Sequence, residues 1–168
     1  TGGTILNAGT TVISADNNLG TAPGSATAGS INLSGGGQLL VTSGTSGSPT
    51  TLATNRGIAL GTSGGVLSST TGNYLTYSGI IAGSNTLTIG STGNTGTVTL
   101  GGSSTYTGAT TIAAGTLRLG ATGTSSNTPL GTTAAGTTVN SGATLDLNGY
   151  TLGTAEALTI SGTGVGGT

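Results

Sequence analysis

The chain has 168 residues, 36 of them Gly; only 3% are charged, the net charge is −1, and none is Lys, His, Cys, Met, Trp or Phe. Without Cys or His it has no disulfide, no thiolate chemistry, and neither the usual imidazole base nor the usual metal ligand. Two Arg leave almost nothing to neutralise a phosphate backbone or to dock on anionic lipid, and no apolar run approaches the roughly 20 residues that cross a bilayer.

The first element is a motif, Thr1-Gly2-Gly3-Thr4-Ile5-Leu6-Asn7-Ala8-Gly9-Thr10-Thr11-Val12-Ile13. Short strands are then predicted at 31–33, 39–42, 58–60, 74–77, 86–89, 97–100, 116–119, 137–140, 144–147 and 157–160. The clearest place an aliphatic residue at every second position, so that alternate side chains point to opposite faces. On that basis Leu87, Ile89, Val98, Leu100, Leu117, Leu119, Leu145, Leu147, Leu158 and Ile160 face a core, and the intervening Thr face out. Segments 21–28, 43–51 and 121–128 carry Gly, Ser or Pro without alternation and read as loops. Gly clusters at 35–37, 64–65, 101–102 and 166–167 read as corners, because Gly accepts positive φ. Asn148-Gly149 is a further turn signal. No apolar spacing supports a helix beyond a short turn at 154–157.

The opening motif returns as Thr107-Gly108-Ala109-Thr110-Thr111-Ile112-Ala113-Ala114-Gly115-Thr116-Leu117-Arg118-Leu119, 106 residues later. Such self-similarity marks a solenoid, which acts mainly through its surface and its length. The prediction is an all-β fold, a parallel β-helix or β-solenoid with short strands and Gly-rich corners. Six to eight coils of about 20–25 residues would stack around a thin aliphatic column. The whole of 1–168 reads as one continuous segment of a longer array, with a repeat at 1–106 and a partial second repeat at 107–168. There is no initiator Met and no signal peptide, as expected after processing or for a piece of a longer product.

Residues 105–120, Thr-Tyr-Thr-Gly-Ala-Thr-Thr-Ile-Ala-Ala-Gly-Thr-Leu-Arg-Leu-Gly, resemble the passenger-associated repeat of bacterial autotransporters. Segments 55–61 and 75–83 also resemble the large extracellular passengers of that family. The resemblance implies a right-handed parallel β-helix, secreted through the outer membrane and displayed at the cell surface as a stalk or adhesin. It carries no catalytic residues to transfer, and the C-terminal membrane barrel of a full autotransporter is not in this sequence.

Formal charge is confined to Asp16, Arg56, Arg118, Asp146 and Glu156. Two carboxylates could serve a glycosidase, but the three acids are scattered and share no motif. Asp16 reads as part of a polar turn with Asn17 and Asn18. Asp146 reads as an outward strand residue, able to pair with Arg118 if their coils are adjacent. Calcium binding would need a recurrent Asp. The outward pairs Thr86/Thr88 and Thr97/Thr99 resemble the flat Thr arrays of ice-binding solenoids, although Arg118 and Asp146 interrupt the pattern. Tyr74, Tyr77, Tyr106 and Tyr150 could stack on sugars; the plainer expectation is that each ring caps a coil edge or covers a loop with its hydroxyl wet. Asn32-Leu33-Ser34 matches a glycosylation sequon. No catalytic, cofactor-binding or metal-ligating residue is expected, and no cofactor. The expected role is a non-catalytic rod or extracellular filament, with copies of itself as partners, end to end or side by side. An adhesin stalk that binds host glycan or protein through its loops is the alternative.

Overall fold

A computed structural model describes residues 3–161. These residues form sixteen short strands: β1 Thr4–Asn7, β2 Thr10–Ile13, β3 Thr27–Ser34, β4 Gly37–Val41, β5 Thr50–Leu52, β6 Arg56–Leu60, β7 Gly65–Ser69 and β8 Tyr74–Tyr77 lie in the first half. β9 Ile81–Gly83, β10 Leu87–Ile89, β11 Thr97–Leu100, β12 Thr110–Ile112, β13 Thr116–Leu119, β14 Thr137–Val139, β15 Thr144–Asp146 and β16 Leu158–Ile160 follow. The one helical element described is a 3-10 turn, Asp16–Leu19.

The strands build three faces. The first holds β1-β3-β6-β9, the second β2-β4-β7-β10-β12-β14-β16, and the third β5-β8-β11-β13-β15. Every strand pair is parallel, as expected for a β-solenoid. From β3 to β11 the chain visits the three faces in turn; β1 and β2 precede any strand on the third face, and after β9 the strands alternate between the second and third faces, each stacking on the one before. Seven strands on the second face make six steps from β2 to β16. The steps vary in length. Leu117 pairs with Val98, 19 residues earlier, and Leu145 pairs with Leu117, 28 residues earlier. Loops absorb the difference, so the spacing of neighbouring windings is kept while their lengths change.

Alternation puts one side chain in two into the spine. In register, Leu6, Leu33 and Leu60 form one column on the first face. Leu39, Leu67, Ile89, Ile112 and Val139 form another on the second, and Leu75, Val98 and Leu117 a third. All are buried. Burying each such side chain stabilises the fold by about 2 kcal/mol.

Several expectations are corrected. Leu145 is on the spine side but half-buried, and Leu147, Leu158 and Ile160 are 41%, 41% and 67% exposed. Leu145 and Ile160 continue the buried columns in register, on Leu117 and Val139, and Leu158 stands on Thr137; among the described residues no further winding pairs with β15 or β16. Tyr77 and Tyr106 are fully buried, with bonded hydroxyls. A ring can enter the spine when its hydroxyl finds an acceptor. The segment 154–157 is a bend and irregular chain rather than a helical turn. Strands β1, β2, β5, β7, β9 and β12 fall outside the predicted strand segments, and β3 and β5 take the ends of the predicted loops 21–28 and 43–51, because short lengths and interspersed Thr, Ser and Gly blur the alternation.

The two copies of the repeated motif occupy different faces. β1 and β2 lie on the first and second faces, whereas β12 and β13 lie on the second and third. A strand, a Gly corner and a strand make a unit that suits either bend of the wall. Its corner glycines Gly9 and Gly115 have φ of 72° and 71°, a conformation that a side chain opposes.

Candidate functional site

The sequence offers few reactive groups, and the fold gives each a distinct setting. Arg56 begins β6 with its guanidinium turned under the 3-10 turn, and it is only 3% exposed. Its Nε donates to Asp16 Oδ1 at 2.8 Å and its Nη2 to Asp16 Oδ2 at 3.2 Å. Further donation goes to the carbonyls of Asp16, Leu19 and Gly20. Asp16 Oδ1 also accepts the amide of Ala53 at 3.1 Å. Asp16 thus belongs to the polar turn expected from the sequence, where Asn18 Oδ1 accepts the amides of Ser14 and Ala15. The partnership with Arg56, 40 residues away, is not legible in the sequence. No local signal announces a pair that only the winding creates.

Arg118 and Asp146 do pair. They are register partners on β13 and β15, with Nε to Oδ2 at 2.8 Å. The Arg118 hydrogen bond holds the Asp146 carboxyl below its ordinary range, and the Asn148 amide adds to this. Both side chains remain over one-third exposed, so the pair contributes at most about 1 kcal/mol.

Glu156 is different. Thr137 Oγ1 donates to its Oε1 at 2.8 Å, and its Oε2 is buried with no hydrogen-bond partner among the described residues. Loss of hydration raises its affinity for a proton. Thr137 is an inward, buried residue of the second face and the register partner of Thr110. Thr110 Oγ1 lies 2.6 Å from Tyr106 Oη and donates to the Leu130 carbonyl. Burial pushes the Tyr106 phenol well above its ordinary range. Tyr106, Thr110, Thr137 and Glu156 therefore form a polar thread inside an otherwise aliphatic spine. Asp16 lies at the first winding, while Asp146 is on the outside of the wall and Glu156 turns inward, so the acids do not converge. Among the described residues no group of three or more acids could hold a metal ion.

The outer faces carry hydroxyls. On the second face Thr88, Thr111, Thr138 and Thr159 stand in one register column. On the third face Thr97, Thr116 and Thr144 make one column, and Thr51, Thr76, Thr99, Arg118 and Asp146 make its neighbour. Thr88 and Thr97 belong to different faces, so the two predicted Thr pairs do not join in one array. The first face instead presents a trough of about 460 Å³, lined by Ala28, Gly57, Ala59, Ile80 and Ala82 with Asn55 at its side. An irregular register in β3, between Thr27 and Ile31, shapes its floor. Tyr74 lies half-buried on the outward side of β8, and Tyr150 is exposed in the turn after β15.

Residues 93–119 match the family model described as the passenger-associated-transport-repeat. The match runs through β11, β12 and β13, about one winding, and includes most of the stretch whose resemblance the sequence displays. No curated protein and no solved structure matches the chain. The parallel stacking gives that match its physical sense, since one repeat supplies one turn of the wall. The chain is a β-solenoid that carries the passenger-associated transport repeat of autotransporter passengers.

Proposed function

We propose that this chain is a non-catalytic structural segment of a secreted or surface-displayed bacterial protein, serving as a rigid rod or as part of an extracellular filament. The observation that carries this reading is the unbroken parallel register of the second face, seven strands from β2 to β16. Ladder hydrogen bonds of that kind run along the axis, and each winding is stabilised by its neighbours. Open strand edges can template further strands, so copies or successive repeats stack end to end. With five formal charges in 168 residues, little repulsion opposes lateral contact. The test is electron microscopy of the intact native protein. Long fibres with an axial repeat near 4.8 Å per winding are expected; short isolated particles refute the filament.

A second reading is an adhesin stalk. The apolar trough on the first face favours it, because concave apolar surface edged by polar groups suits a ligand. Glycan and cell-binding arrays separate the two. Saturable binding that Ala59→Asp abolishes supports the adhesin, and no binding to any surface leaves the rod.

A further inference from the structure

We propose that Glu156 makes the junction between β14 and β16 a proton-sensitive seam, closed when the carboxyl is protonated and loosened when it is charged. The geometry supplies the mechanism. Of the two Glu156 oxygens, one accepts the Thr137 hydroxyl and the other is buried without a donor. A second orphaned polar atom, Thr154 Oγ1, belongs to the same segment. A protonated carboxyl carries a hydroxyl that can donate, and it brings no charge into the spine. A carboxylate brings a charge in with one oxygen unsatisfied, which costs more than a neutral group in the same place.

The sign follows from this imbalance. Burial raises the proton affinity of Glu156 above that of the open segment, where the ordinary pKa is 4.5. The seam is tightest below that pH and weakens as pH rises toward the midpoint of the seated carboxyl. The facing titratable group is Tyr106, whose phenol stays neutral over this range. Arg118 and Asp146 point outward from the third face and engage each other. With no His, Cys or Lys in the chain, no other side chain has its ordinary titration between pH 5 and 9.

The β14–β16 ladder and the bonds that flank it hold the seam. They include the Thr137 amide to the Ala157 carbonyl at 2.8 Å and the Ser161 amide to the Val139 carbonyl at 2.8 Å. Opening it would uncover the β14 edge, a parallel strand edge able to accept another chain. This inference rests on side-chain geometry and stands independently of the filament and adhesin readings.

The test is native-state hydrogen exchange on the full chain from pH 4.5 to 8, with rates corrected for the intrinsic pH dependence of amide exchange. Protection at residues 158–161 is expected to fall about tenfold across that range, while β11 and β13 stay constant. Glu156→Gln is expected to flatten the profile. Thr137→Val removes the one donor to the carboxylate and is expected to move the fall to higher pH. A second readout is a carbon NMR titration of the Glu156 carboxyl, expected to have its midpoint above 4.5. Equal protection at both pH extremes, a fall that persists in Glu156→Gln, or a carboxyl midpoint at or below 4.5 would each overturn the proposal.

Discussion

Arg56 shows how one residue can secure a solenoid. A 13-residue connection, 14–26, with the 3-10 turn Asp16–Leu19 as its one regular element, joins β2 to β3, and ordering such a length of chain costs conformational entropy. The guanidinium under the 3-10 turn offsets that cost, since Asp16 and three backbone carbonyls accept from it. Removing one partner of a buried pair leaves the other uncompensated. Arg56→Ala is therefore expected to destabilise the chain by about 3 kcal/mol, read as a lower denaturant midpoint, with faster exchange at the Ala53 amide. Arg118→Ala, on the exposed pair, is expected to reduce stability by no more than about 1 kcal/mol. Both arginines are plain in the sequence, but only the Asp146 pairing is legible there, because matching slots on similar strands are visible in the pattern. A bond between a strand and a distant turn is not.

The elements are held together by what they lack. On the second face Gly37 and Gly65 are inward register partners. A Cβ on Gly65 would overlap Leu33 Cβ, and one on Gly37 would overlap the Leu6 carbonyl oxygen. At these points the first and second faces come too close for any side chain. Gly65→Ala is expected to cost about 1–3 kcal/mol by overpacking, measured by chemical unfolding. Gly47→Ala, in an open loop with no neighbour within 4 Å, should be close to neutral. From the sequence, Gly64-Gly65 reads as a corner. Gly64 does turn there, with φ of 66°, but Gly65 is kept for space inside β7. The same crowding explains why that strand is hard to see in the sequence: its pattern contains Gly, Ser68 and Ser69 in place of aliphatic residues, and all three are buried.

For the whole molecule, the charge pattern and the winding act together. Trypsin needs an accessible, locally unfolded Arg. Arg56 is buried, and Arg118 lies in the middle of β13 between two neighbouring strands. The folded chain is expected to survive digestion that degrades the urea-unfolded chain to fragments ending at these two positions; cleavage at equal rates in both states would refute this protection. Cooperativity is also expected from the stacking, since each winding lacks a core of its own.

Composition and alternation marked short strands around a thin core, and the internal repeat selected a stacked solenoid from the folds they allow. Chains so poor in aromatic residues and charge, yet punctuated by Gly, can bury a narrow aliphatic column and little else, and a parallel stack of short strands meets that requirement. Motif resemblance likewise marked the repeat at 105–120, most of which lies in the matched stretch 93–119. Tertiary structure decided which residues meet. Windings of 19 to 29 residues bring Arg56 under the turn that holds Asp16, set Tyr106 and Thr110 within the spine, and turn Glu156 inward toward Thr137. These partners are separated by loops of variable length, and the number of residues in a loop does not fix the side chain that lies above it. A period of two along each strand is written locally; the register between windings is settled only when the spine packs.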